Sequence, residues 1–148
     1  MMHMHHNCWN GPCACTALRK ASRAVSRLYD DALSVRGMST AQFAILRTIA
    51  EGAPLPLSRL AEQLVLDRTS LYRAIAPLEA KRWVAVTPGP GKSRLAALTL
   101  SGKEVLHEAE ADWRTVQARL TGAMGQAQWS ALEAALRAIM DVAQEKVR

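Results

Sequence analysis

The 148-residue chain has only three cysteines, all within residues 8–15. That excludes a disulfide framework as the source of stability and confines any redox or metal chemistry to one short stretch. Long apolar runs are missing as well. None approaches the length needed to span a bilayer, and the opening Met-Met-His-Met-His-His lacks the apolar centre of a signal peptide. A cytoplasmic protein that makes no use of a membrane is the expectation. Also absent are the patterns that carry catalysis: there is no glycine-rich phosphate loop, no paired carboxylates with a histidine nearby and no metal-ligand repeat. An enzyme is not expected, and neither is a cofactor or a bound metal.

Residues 1–14 do contain imidazole and thiol groups at His3, His5, His6, Cys8 and Cys13, and Cys13-Ala-Cys15 is a short chelate. No second ligand cluster of regular spacing follows, and the one remaining histidine, His107, lies on a predicted helix. With Gly11 and Pro12 among them, these residues read as a flexible N-terminal tail or a fusion remnant. Residues 15–148 read as a single domain, since 49% hydrophobic content argues against disorder.

What is present is organised around Leu57 to Thr99. Leu57, Leu60, Ala61 and Leu64 line one face of a short helix, leaving Ser58, Arg59, Glu62 and Gln63 to water. Asp67 suits an N-cap, so a second helix is expected to start near Arg68. Its buried stripe is Leu71, Ala74, Ile75 and Leu78, and Pro77 is expected to bend it. Arg68, Thr69, Ser70, Tyr72 and Arg73 then point outward near its start. Arginine offers a planar donor fork for guanine edges or phosphates, hydroxyls reach phosphates or base edges, and a helix N-terminus favours a phosphate. Two ordinary amphipathic helices would also fit these residues alone. The next segment shifts the balance. Trp83 to Thr87 is rich in strand formers, Pro88-Gly-Pro-Gly91 breaks the chain, and Ser93 to Thr99 returns as a second strand. A hairpin directly after a helix-turn-helix is a wing, and its tip carries the DNA-contact candidates Lys92 and Arg94.

The +6 formal charge is unevenly spread. From Arg59 to Arg94 seven basic residues stand against three acidic ones, a net of +4, whereas from Lys103 onward six stand against seven, a net of −1. The excess is an electrostatic footprint for nucleic acid. Around this unit lie further helices. One is expected from Thr16 to Val35, with Leu18, Ala21, Val25, Leu28 and Ala32 as its seam and Gly37 as its stop. Ser39-Thr-Ala-Gln42 is a capping box opening a helix through Glu51, whose core face is Phe43, Leu46, Ile49 and Ala50. Gly52 to Pro56 reads as a connector. Ser101-Gly-Lys-Glu104 reads as a second capping box, opening a helix with Leu106, Ala109, Trp113, Val116 and Leu120 on one side. A break at Gly122 to Gly125 precedes a last helix with Trp129, Leu132, Leu136, Ile139 and Ala143. The outer helices carry more apolar seam than one small domain covers, which points to a homodimer presenting two recognition helices. The expected fold is therefore mainly α with a small β-hairpin wing: residues 39–100 form the winged helix-turn-helix, and residues 15–36 and 101–148 form dimerisation helices.

This order of elements resembles the MarR family of bacterial transcriptional regulators. The resemblance covers Cys15 to the end and rests on Leu60-Ala-Glu-Gln-Leu64, Leu66-Asp-Arg68 leading to Leu71 and Arg73, Pro77-Leu-Glu79, and Leu98-Thr-Leu-Ser-Gly-Lys103. It implies an obligate homodimer that binds an inverted-repeat operator in double-stranded DNA and represses nearby genes until a small ligand or oxidant releases it. The wing departs from the pattern, because the Asp-x-Arg common at the family's wing tip is here Pro90-Gly91-Lys92. Lys92, with Arg94 as a second candidate, would take the arginine's role. Cys15, followed by Leu18, Arg23, Tyr29 and Gln42-Phe43, resembles the organic-hydroperoxide-sensing branch, in which Tyr29 matches a tyrosine that hydrogen-bonds the reactive cysteine. Arg19 and Thr40 replace two aromatic positions of that branch. Family members also bind aromatic acids where the dimer helices meet the winged helix, with Arg23 and Trp113 as pocket candidates here. A winged helix can instead serve as a protein-interaction module. That use would need apolar anchors on the outward helix face, where this chain has Arg68, Thr69, Ser70, Tyr72 and Arg73.

Overall fold

The structure is a computed structural model and describes residues 11–145. Helix α1 (Ala14–Leu33) runs into a 3-10 turn over Ser34–Arg36, and Gly37 closes that turn at φ +66°, in the left-handed region that glycine tolerates. The helix thus begins two residues before the expected Thr16 and ends before Val35. Helix α2 (Thr40–Gly52) opens on the expected capping box: the Ser39 hydroxyl accepts from Gln42 N–H, and the Gln42 side chain accepts from Ser39 N–H. Its core face is Phe43, Ile45, Leu46 and Ile49, whereas Ala50 is exposed. Ile45, which the sequence reading did not include, is buried as well, on a helix that packs against α3, α5 and β3 together.

The expected connector contains a strand, β1 (Leu55–Pro56), too short for an alternation signal to exist. Helices α3 (Leu57–Leu64) and α4 (Arg68–Ala80) follow, separated by a turn in which Val65 is left-handed at φ +54°. Strands β2 (Val84–Pro88) and β3 (Arg94–Leu98) form the wing. The antiparallel order is β1-β3-β2, with Leu55 opposite Ala96 and Val84 opposite Leu98. Helix α5 (Leu100–Met124) runs past Gly122, and the chain breaks only at Gly125 before α6 (Gln126–Glu145). The expected cap at Ser101 is displaced. Thr99 is the N-cap instead, its hydroxyl oxygen accepting from Gly102 N–H at 3.0 Å, because strand β3 delivers the chain into helix two residues sooner.

One core lies between α2, α3, α4 and the sheet, centred on Leu33, Leu46, Ile49, Leu60, Leu71, Ile75 and Leu78, all essentially inaccessible. Leu106 and Ala109 plug the start of α5 into it. Beyond Trp113 helix α5 leaves this core and runs along α1, where Val116 and Leu120 are half-buried. The outward side of this arm keeps Leu18 and Leu28 exposed, and α6 buries no residue while exposing Leu132, Ile139, Met140 and Val142. Among the described residues no helix is long and apolar enough to cross a membrane.

Candidate nucleic-acid interface

Asp67 builds the start of α4. One carboxylate oxygen accepts from Ser70 N–H at 2.7 Å and the other from the Ser70 hydroxyl at 3.0 Å, which holds the Asp67 carboxyl below its ordinary range. This cap fixes where the helix begins and so which residues face outward. Arg68, Thr69, Tyr72 and Arg73 are exposed as the sequence suggested. Ser70 is half-buried, and its proton is committed to Asp67. Ser70 therefore shapes the helix start. The Arg68 guanidinium lies 5.7 Å from the Tyr72 ring centroid, so the ring supports the cation.

The wing brings a second set of cations to the same place. Pro88 pairs with Arg94, and the tip is closed by Gly89 N–H donating to Ser93 O at 2.9 Å. Gly91 turns at φ +63°, and the Ser93 hydroxyl donates to Pro90 O at 2.6 Å. The turn is held at both ends, and Lys92 within it and Arg94 at the start of β3 are both exposed. Between wing and helix lies a cleft of about 400 Å³, walled by Arg68, Tyr72, Lys92 and Arg94 and floored by Leu57, Ala61 and Leu71. Four of the seven predicted DNA contacts thus meet across one concave, cationic surface. Thr69 and Arg73 sit outside that cleft, on the free face of α4.

The other predicted site residues separate. Cys15 is exposed near the start of α1, and Tyr29 is buried fourteen residues later on the same helix, roughly 21 Å along its axis. The two do not meet within one chain. The Tyr29 hydroxyl instead donates to Gln117 Oε1 of α5, and burial pushes its pKa up. Thiolate support falls on Cys13, whose pKa is lowered by hydrogen bonds from the backbone and hydroxyl of Thr16. Cys8 lies outside the described residues. Arg23 is exposed on α1 and does not join Trp113. Trp113 stacks on Phe43 at 5.9 Å between ring centroids and carries the Arg47 guanidinium 4.5 Å from its own centroid. Thr40, Thr48 and Glu51 complete an open cleft of about 310 Å³ there. Arg47 was missed because it belongs to the helix α2 surface, four residues before Glu51, and reads in sequence as half of an i,i+4 ion pair.

A model of the MarR family matches residues 36–95. The chain is also similar to the transcriptional regulator MosR of M. tuberculosis, with 31% identity over 90% of this chain and 96% of that one at a TM-score of 0.78. The chain belongs to the MarR family. A second MosR structure, in complex with DNA, shares 29% identity over 90% and 98% of the two chains at a TM-score of 0.83. A mutant of E. coli MarR, complexed with operator DNA, has 24% identity over 84% and 91% of the chains, and its TM-score of 0.78 speaks for the fold. No curated protein matches the sequence. In this MarR-family chain the matched segment runs from the 3-10 turn to the start of β3 and so contains both walls of the cationic cleft.

Proposed function

We propose that the protein is a DNA-binding transcriptional regulator that works in the cytoplasm as a homodimeric repressor, two copies binding an inverted-repeat operator until a small molecule or oxidant releases them. The observation that carries this reading is the cleft in which Arg68 and Tyr72 of α4 face Lys92 and Arg94 of the wing. An α-helix fills a major groove, and cations held beside it follow the flanking phosphates or the minor groove. The exposed apolar residues of α1 and α6 support the homodimer, and a dimer seated across a promoter occludes it.

For release, the Arg47–Trp113 cleft suits a planar aromatic carboxylate, the guanidinium fork pairing with the carboxylate and the Trp and Phe rings with the aromatic face. The exposure of Cys13 and Cys15, with the lowered pKa of Cys13, favours a second reading in which a hydroperoxide is attacked by a thiolate at this end of α1. Its O–O bond breaks, the alcohol leaves and a sulfenic acid forms.

The test is selection of duplexes from a random library by the purified reduced chain, followed by titration with a panel of aromatic carboxylic acids or an organic hydroperoxide. Enrichment of an inverted repeat is expected. Loss of the acid response in Arg47→Ala marks the ligand route, and loss of the peroxide response in Cys13→Ser or Cys15→Ser marks the thiol route. Absence of any sequence preference contradicts the function.

A further inference from the structure

We infer that Arg36, Gly37 and Lys81 form a joint that holds the recognition helix at a set angle to the dimer arm and thereby fixes the half-site spacing the protein accepts. The inference rests on the reading of the protein as a DNA-binding dimer. Its basis is a run of polar bonds connecting the two ends of the machine through adjacent residues. Glu108 and Asp112 sit one turn apart on α5, where that helix passes from the winged-helix core into the arm. Both accept from Arg36, Asp112 from Nε at 2.8 Å and Glu108 from Nη1 at 3.4 Å. The next residue, Gly37, is locked in the left-handed region by its N–H bond to Ser34 O at 2.9 Å. Its carbonyl then accepts from Lys81 Nζ at 2.5 Å.

Lys81 is the C-cap residue just after α4, and its ammonium also lies 4.4 Å from the Trp83 ring centroid, which limits sideways movement. Arm, turn and recognition helix are thus in series, outside the apolar core that also joins them. Hydrogen bonds are directional where apolar packing is not, so this path is suited to setting an angle. The Arg36 ion pairs are partly exposed, and pairs of that kind add little to global stability. Their loss is expected in the geometry of the dimer rather than in its melting. Two recognition helices must fall one helical turn of DNA apart, about 34 Å, and a change of angle at each joint moves both. Arg36 and Lys81 are positioning residues on this account, since neither belongs to the cationic cleft.

The experiment uses the full chain and duplexes carrying its selected inverted repeat, with one or two base pairs added or removed between half-sites, beside a duplex with a single half-site. Wild type should show a sharp optimum. Arg36→Ala and Lys81→Met should each lose about tenfold at the optimum while changing little at other spacings and on the single half-site, flattening the profile. The pair Glu108→Gln with Asp112→Asn should reproduce Arg36→Ala. Should Arg36→Ala fail to fold by circular dichroism, Lys81→Met carries the same expectation. Equal losses on every duplex, or an unchanged profile, overturn the joint. If wild type enriches no duplex, the DNA-binding reading has failed and the joint falls with it, an outcome distinct from a wild-type optimum that the variants leave intact.

Discussion

Asp67 is tied through both carboxylate oxygens to Ser70, whose N–H and hydroxyl donate to it. The Asp67 pKa is lowered in the folded chain, so its contribution to stability is complete above the ordinary value of 3.8 and is lost as pH falls through the lowered folded value. Asp67→Asn should shorten that acid limb, measured by urea unfolding from about pH 2 to about pH 5. The proposed contacts Arg73 and Lys92 are expected to differ in their effect on binding. Arg73→Ala should weaken the selected duplex by about 1–3 kcal/mol and relax its preference over other sequences. Lys92→Ala should weaken all duplexes alike and reduce the salt slope by about one. Anisotropy titrations at several salt concentrations distinguish these outcomes. The pocket candidates show the limit of reading residues singly: Trp113 was visible as a large apolar group on a seam, whereas its partners Phe43 and Arg47 come from α2, far away in sequence.

Among elements, helices with long periodic faces could be read and their ends could be read less well. The Ser39 box was visible because its two partners are three residues apart. The cap of α5 was misplaced because Ser101-Gly-Lys-Glu104 satisfies the same pattern, while Thr99 wins through contacts from far along the chain. Its hydroxyl donates to Arg82 O at 2.5 Å, and its N–H donates to Trp83 O at 3.0 Å. That junction ties the end of α4, the base of the wing and the start of α5 in one place, which gives Gly102 its meaning. A Cβ there would overlap Trp83 O and lie 2.9 Å from the Trp83 carbonyl carbon, backbone atoms that cannot swing aside. Gly102→Ala should therefore destabilise the domain by at least about 1–3 kcal/mol, as a drop in thermal midpoint, and should loosen the wing. A melting curve unchanged from wild type would contradict this. Strand β1 escaped the sequence entirely, since two residues carry no period and its partner β3 lies far downstream.

For the whole molecule, the segregation of charge and the surplus of apolar seam were both legible, because each is a sum over many residues and tolerates errors at any one of them. The basic excess between Arg59 and Arg94 supplies the three cations of the helix–wing cleft, Arg68, Lys92 and Arg94, and the surplus seam coincides with the arm of α1, α5 and α6. A chain that keeps Leu18, Leu28, Leu132, Ile139, Met140 and Val142 in water on its own would gain by pairing, and the proposed pairing would turn one cationic cleft into two. Both halves of that statement meet in a single measurement, the mass of the complex formed with the selected duplex, by sedimentation or light scattering. Two chains on one inverted repeat, and no complex of comparable affinity on a scrambled duplex of the same length, are the predicted result. One chain per duplex, or equal affinity for the scrambled sequence, would contradict the account.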